Sequence, residues 1–419
     1  MLRNSPFWWI VIGVMVVIDI YFFQALRAVT GGFSVRTRTI VHTGYWIISV
    51  GAILFLILLP YLHFDKQHKL VRTTVFATVA GLFFAKLIAS VFFLADDLRR
   101  GVQWVASRLF SSAYAAQKSS PEGTDRISRS VFLSWTGMIM GGGLFGTLVY
   151  GFGNKYRYQV RRVKLQFPNL PAAFRGLRIA HISDIHSGSF NDREAVMKGV
   201  YKLMKEQPDL VLFTGDMVNN VADEMTDYMD VFNKIQAPMG VYSTLGNHDY
   251  GDYVHWDNMQ EKIANLQRLK DVHRELGWRL LMNEHVVLER RGDKIALLGI
   301  ENWSAKARFP KYGDMKKAYA GTEAYPFKIL MSHDPSHWKA EVVSGFPDVD
   351  LTLSGHTHGM QFGVEIPGLR WSPVQYVYKE WAGLYFTDRQ KLYVNRGFGF
   401  IGYPGRVGIL PEITILELS

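Results

Sequence analysis

Four stretches in the first part of this chain, Phe7 to Leu26, Ile40 to Leu62, Val75 to Leu94 and Val131 to Phe152, are long and apolar enough to cross a bilayer, which takes about 20 residues each. In hydrocarbon every backbone N–H and C=O must be satisfied within the segment, so such runs are predicted to be helices. Aromatic residues stand near span ends, as in Phe7-Trp8-Trp9 and Tyr21-Phe22-Phe23, where interfacial anchors collect. The fourth span is the weakest helix former because it contains Gly141-Gly142-Gly143. Asp19 and Lys86 fall well inside the first and third spans. A lone charge there costs about 2.5–3.5 kcal/mol on insertion scales, so the two are expected to face the bundle and pair. Beyond the third span, Leu98 to Phe110 has apolar positions at helical spacing with arginines between them and reads as an interfacial helix. Gln117 to Asp125 reads as a polar loop.

Charge divides the chain in the same place. The formal net charge is +10, with 47 Lys plus Arg against 37 Asp plus Glu, yet Met1 to Leu165 alone carries +13 and the remainder −3. Basic residues concentrated around apolar spans point to anionic headgroups, with membrane lipids as partners and no nucleic acid. The predicted organisation is a membrane region of about four spans over residues 1–155 and a globular domain over 156–419 of an inner or plasma membrane protein. The loops on the two sides carry nine Lys plus Arg each. The positive-inside rule therefore gives a tie, and the expectation of a cytoplasmic globular domain rests on the densest juxtamembrane group, Lys155, Arg157, Arg161, Arg162 and Lys164.

The second part of the chain has a different texture. Short apolar runs are each closed by a polar cluster: Asp184-Ile185-His186, Gly215-Asp216, Gly246-Asn247-His248-Asp249, Ser332-His333-Asp334 and Gly355-His356-Thr357-His358. Each run reads as a buried strand ended by a turn. Strands of like direction deliver their C-terminal loops to one sheet edge, so residues in those clusters would meet in space. Helices are predicted over Asp192 to Glu206, Asp223 to Ile235 and Asp257 to Leu276, followed by antiparallel hairpins such as Val286 to Arg290 with Lys294 to Ile300. The order fits a four-layer αββα sandwich, two mixed sheets flanked by helices.

Carboxylate, imidazole and amide oxygen, in a chain without cysteine, suit hard or borderline divalent ions such as Mn²⁺, Fe²⁺, Zn²⁺ or Mg²⁺. The candidate ligands Asp184, His186, Asp216, Asn247, His333, His356 and His358 exceed one ion's protein share. Two ions about 3.5–4 Å apart can activate a water and stabilise both oxygens of an in-line displacement at phosphorus.

In these blocks and their order the chain resembles the calcineurin-like metallophosphoesterases, from about Val163 to the C-terminus. The resemblance implies that Asp184, His186 and His358 hold one ion, that Asn247, His333 and His356 hold the other, and that Asp216 bridges them. It also implies that His248 faces the substrate phosphate and protonates the leaving oxygen, with Asp249 orienting the imidazole. Met360 stands where membrane-associated members have a second glycine, which bears on substrate fit. Tyr250, Tyr253, Trp256 and Trp303 are candidates for a substrate pocket, and Arg396 for a phosphate contact. The implied activity is hydrolysis of a phosphoester or pyrophosphate, on a lipid or lipid-linked substrate such as UDP-2,3-diacylglucosamine. The alternatives are a tethered enzyme for a soluble or cell-wall phosphodiester and a scaffold of the same fold without catalysis.

Overall fold

The computed structural model describes residues 6–62, 69–109, 129–387 and 389–419, which form two compact units, 1–150 and 151–419. Among the described residues of the first unit are four long helices, α1 (Pro6–Val29), α2 (Val35–Leu58), α3 (Lys69–Leu109) and α4 (Arg129–Gly151). All four are long and apolar enough to cross a membrane. Large apolar side chains such as Phe7, Ile10, Val17, Ile47 and Ile139 point away from the protein, as lipid-facing residues do. Asp19 and Lys86 form the expected pair, with Ser49 2.7 Å from the ammonium and Tyr45 donating to the carboxylate at 3.1 Å.

Two features depart from the sequence reading. Of the predicted interfacial helix, residues 98–109 are not separate but the end of α3, which runs on unbroken with Asp96 paired to Arg99 one turn on at 2.8 Å, and Phe110 lies outside the described residues. The polar loop at Gln117 to Asp125 lies outside the described residues. In α4, glycine serves packing: a Cβ on Gly141 would fall 2.5 Å from the Ala85 carbonyl, and one on Gly137 2.8 Å from that of Ala89. Small residues four apart let two membrane helices approach at the backbone.

The second unit is built on two six-stranded sheets. The first has the order β1 (Gln159–Leu165), β14 (Glu412–Leu418), β2 (Arg178–Ile182), β3 (Leu210–Phe213), β4 (Val241–Ser243), β5 (Arg279–Leu280). Strands β2 to β5 are parallel and β14 runs against β2. The second sheet has the order β12 (Gly383–Thr387), β13 (Gln390–Val394), β9 (Leu351–Ser354), β8 (Lys328–Met331), β7 (Asp293–Gly299), β6 (Glu284–Arg290), with β13, β9, β8 and β7 parallel.

The central strands are buried on both faces, so their sequences are continuously apolar, and period two sorts them between layers. In β3, Leu210 and Leu212 pack between the sheets, while Val211 and Phe213 pack under the outer helices α5 (Arg193–Met204) and α6 (Met259–Glu275). In β7, Ile295 and Leu297 join the same central layer while Ala296 and Leu298 face Trp338 and Val342 on the other side. The result is the expected αββα order. The predicted helix over Asp223 to Ile235 is instead a 3₁₀ turn, Ala222–Tyr228, and one α turn, Met229–Phe232, because Tyr228 leaves the helical region at φ −124°, ψ 0°. Parallel β2, β3 and β4 in one sheet and β7, β8, β9 and β13 in the other send their C-terminal loops to one end of the sandwich.

Candidate metal centre

Every predicted ligand lies on one of those loops. Asp184 and His186 follow β2, Asp216 follows β3, Asn247 follows β4, His333 follows β8, and His356 and His358 follow β9. Asp184, His186, Asp216, His356 and His358 all have positive φ, between 49° and 69°. A non-glycine residue in that region is uncommon, and clusters of such residues gather at functional sites. The motif glycines are explained by the same crowding. A Cβ on Gly246 would sit 2.2 Å from Asp216 Oδ1, and one on Gly355 2.2 Å from Asp184 Oδ2.

Two groups of donors result. Asp184, His186 and His358 offer ligand atoms within 4.8 Å of one another, as do Asp216, His333 and His356. Asp216 lies between them, its Oδ2 3.5 Å from His186 Nε2 and 3.2 Å from His333 Nε2. Asn247 Oδ1 is 2.8 Å from His356 Nδ1, which is 3.2 Å from His333 Nε2. The sequence-predicted ligands are therefore all brought together.

The surrounding hydrogen bonds fix which nitrogen is free on two of the rings, His333 and His356. His333 Nδ1 donates to the Thr214 carbonyl at 2.7 Å, leaving Nε2 toward Asp216. Tyr378 donates to Asp334 at 3.1 Å, so His356 Nε2, 2.9 Å from the Tyr378 hydroxyl, must donate to it. The lone pair of His356 then sits on Nδ1, aimed at the Asn247 oxygen. Neither ring nitrogen of His186 has a hydrogen-bond partner, although the ring is buried. Buried acceptors converging without donors are costly in a folded protein, and a cation relieves them. The donor set thus fits divalent ions, and buried outer partners of this kind orient metal ligands. Burial pushes His186, His356 and His358 below the ordinary imidazole value, toward the neutral form that coordinates. For His333 burial acts in the same sense, but the Asp216 charge outweighs it and holds the ring up to about 10, so that a proton on Nε2 takes the place a cation would fill.

The structure gives some predicted residues other tasks. Asp249 does not hold His248: its carboxylate accepts backbone N–H groups of Asp216, Met217 and Gly246 at 2.8 Å and of Val218 at 3.3 Å. His248 is held instead by Asn219, whose carbonyl lies 2.7 Å from Nδ1. Since a carbonyl only accepts, Nδ1 carries the proton and Nε2 remains for chemistry. Arg396 is no phosphate ligand. It is buried between Glu412 and Glu365 and bonds to both, at 2.5 and 2.6 Å. Tyr250 stacks on Tyr312, Trp256 closes on Gly251, and Trp303 packs on His337, so of the four aromatic candidates Tyr253 alone lines the cleft above the donors.

That cleft encloses about 590 Å³ and is lined by His248, Arg308, Phe309, Met360, Val377 and Ile401 among others. Thr214, Asn219, Arg308 and Tyr378 were not singled out from the sequence, and Asp334 stood there only as the end of the Ser332-His333-Asp334 cluster, without a role. Asp334, three residues past the end of β8 and directly after His333, carried the one usable signal.

Two mixed sheets that bring such a donor set into one cleft define a metallohydrolase type of protein. A family model described as calcineurin-like phosphoesterase matches residues 177–360, and one described as probable calcineurin-like phosphoesterase, transmembrane domain, matches residues 3–154. Together they span most of the chain, which belongs to the calcineurin-like metallophosphoesterase family as a membrane-linked member. The family comprises hydrolases acting on phosphoesters. A zebrafish (Danio rerio) "transmembrane protein with metallophosphoesterase domain" is 30% identical over 279 residues, 65% of this chain and 60% of that one, so the match leaves a good part of that relative uncovered. The metallophosphoesterase YkoQ of Bacillus subtilis is 28% identical over 60% of this chain and 87% of its own. The UDP-2,3-diacylglucosamine pyrophosphatase LpxG of Chlamydia trachomatis is 26% identical over 58% of this chain and 83% of its own.

Proposed function

We propose that this protein is a membrane-anchored phosphoesterase that uses two divalent ions to hydrolyse a phosphoester or pyrophosphate bond of a lipid or lipid-linked substrate, with UDP-2,3-diacylglucosamine a concrete case. The observation that carries the reading is the pair of donor groups on either side of Asp216, with buried imidazole nitrogens that lack partners. Asp184, His186 and His358 would hold one ion, Asn247, His333 and His356 the other, and Asp216 would bridge. Bound ions supply a Lewis acid and a water of lowered pKa at neutral pH. The protein's own groups do the rest. Asn219 fixes the His248 ring through Nδ1–H, so that in the imidazolium form the second proton sits on Nε2, which can give it to the leaving oxygen and become the neutral ring, and Arg308 at the cleft offers a fork-shaped donor to a second phosphate oxygen.

The lipid part of the reading is supported by the LpxG relatives and by the apolar share of the cleft lining, Phe309, Met360, Val374, Val377 and Ile401. We further assign the catalytic unit to the cytoplasmic side on the juxtamembrane basic group, while noting that Arg161 and Arg162 are engaged with Glu365 and Glu206. The test is hydrolysis by the full-length protein in detergent of a soluble aryl phosphodiester and of a lipid pyrophosphate, metal by metal, beside Asp216→Asn. Loss of both activities in Asp216→Asn is expected. Equal rates for the variant and the unmodified protein would sink the two-ion assignment.

A further inference from the structure

The catalytic unit inverts the usual distribution of side chains at one place. In the hairpin β10 (Val364–Ile366) and β11 (Leu369–Trp371), Glu365 turns inward to Arg161 and Arg396, at 2.6 Å from each. Its neighbours Val364 and Ile366, and Leu369 across the turn from Ile366, are 40, 58 and 51% exposed. A solvated strand shows the opposite alternation, apolar in and charged out. Gly368, at φ +80°, closes the turn after Pro367 and sets Ile366 and Leu369 side by side at the tip. An isolated two-stranded hairpin is marginal in water, and the ion pairs of Glu365 hold this one by its base. The apolar surface continues through Met360, Tyr376 and Val377, all more than half exposed. Met360 and Val377 also line the cleft over the metal donors.

The membrane connection enters the unit at the loops beside this surface. The fourth candidate span, Ser130–Asn154, ends where Gly151 accepts from the Arg406 amide at 2.9 Å and Asn154 donates to the Arg406 carbonyl at 3.2 Å. Phe152 packs on Tyr403. Gln361 donates to the Tyr403 carbonyl and accepts from the amide of Ile401, a cleft residue, both at 2.7 Å. A short run of hydrogen bonds thus joins the end of a membrane span to the mouth of the cleft.

We propose that the β10–β11 tip, with Met360, Tyr376 and Val377, is seated in the lipid bilayer, so that a phosphorylated lipid enters the cleft from the leaflet without crossing water. The purpose of this lip rests on the lipid-linked reading above; its location rests on exposure and connectivity alone. A bilayer is the occupant because the loop that carries Met360 and Gln361 is hydrogen-bonded to the loop of residues 401–406, on which a membrane span ends. Exposed Arg308 and Lys379 near it add the positive charge that anionic headgroups attract.

The chain has no cysteine, so full-length Leu369→Cys can carry a single environment-sensitive fluorophore. Tyr201→Cys, at an exposed site on α5, is the control. Both are reconstituted in vesicles of phosphatidylethanolamine and phosphatidylglycerol containing lipids with a nitroxide on the acyl chain. Emission from position 369 should be quenched several-fold, emission from position 201 should not, and adding Ile366→Asp should bring the first close to the second. Equal quenching at the two positions overturns the proposal. So does a blue-shifted but unquenched signal at 369, which would mean that a protein, such as a second copy, covers the lip. Rates on a lipid pyrophosphate measured in the same vesicles separate the two readings. Quenching without lipid hydrolysis keeps the docking and removes the substrate, and lipid hydrolysis without quenching does the reverse.

Discussion

Replacing Asp249 by asparagine distinguishes a residue that acts on His248 from one that holds the metal loops. Its Oδ2 accepts the Asp216 and Gly246 amides and its Oδ1 those of Met217 and Val218. An asparagine can present one oxygen but must turn an NH₂ toward the other pair of N–H groups. Two hydrogen bonds to a charged acceptor are then lost, each worth about 1.5–3 kcal/mol, and two buried donors are orphaned. The expected loss is about 3–6 kcal/mol, at a site with no exposed surface. For a unit of this size about 1 kcal/mol moves Tm by roughly 2–4 °C, so the unfolding midpoint should fall by roughly 6–24 °C. The assay is tryptophan fluorescence of the full-length protein in detergent during heating, with hydrolysis of a soluble phosphodiester measured well below the midpoint. An unchanged midpoint with a lowered kcat would refute the reasoning and return Asp249 to the role of orienting His248.

Arg396→Met should strip the buried Glu412 carboxylate of its partner and destabilise the protein by about 3–5 kcal/mol, read as a lower urea midpoint, while KM for a phosphodiester stays unchanged; a raised KM would restore a phosphate contact. His273 is buried against Ser243, and burial pushes its ring from 6.5 to about 3. The unfolded state therefore takes up a proton that the folded state refuses as pH falls from 6.5 toward 3, and stability drops with it. At pH 5 the loss is about 2 kcal/mol, so His273→Gln should flatten the acid side of a plot of unfolding midpoint against pH. Gly355→Ala would place a methyl 1.9 Å from Ser183 Oγ and 2.2 Å from Asp184 Oδ2. Bound metal, measured by elemental analysis of the purified protein, should fall together with activity, and full metal content would show that the loop can give way.

The parts legible in the sequence were those with a period or a fixed order. The four apolar spans and the strands before Asp184, Asp216, Asn247, His333 and His356 announce themselves because continuous burial leaves no polar positions to confuse the pattern. The partners of the site were not legible, since Asn219 acts through its carbonyl and Thr214 likewise. A backbone group can be supplied by any residue type, so the sequence carries no mark of it. Tyr378 was hidden for another reason: it lies 44 residues from Asp334 and 22 from His356, and only the fold closes that distance. Arg396 misled because a cation after a strand looks the same whether it meets a substrate phosphate or a buried Glu412.

Two violations of ordinary folding rules, of opposite kinds, stand close together in this molecule. At the metal centre polar groups are buried without partners, with five of the seven predicted ligands at positive φ. At the lip, apolar groups are exposed while a charge is turned inward. Sequences that fold well satisfy local and global preferences together, and departures concentrate where a protein acts. In the function and docking proposed above, cations would relieve the first departure and lipid the second. Met360 stands at the junction: it has positive φ, follows the His358 loop, lines the cleft and is exposed. A second glycine there would meet the backbone requirement equally well, so what the Met360 side chain adds is apolar surface at the cleft mouth.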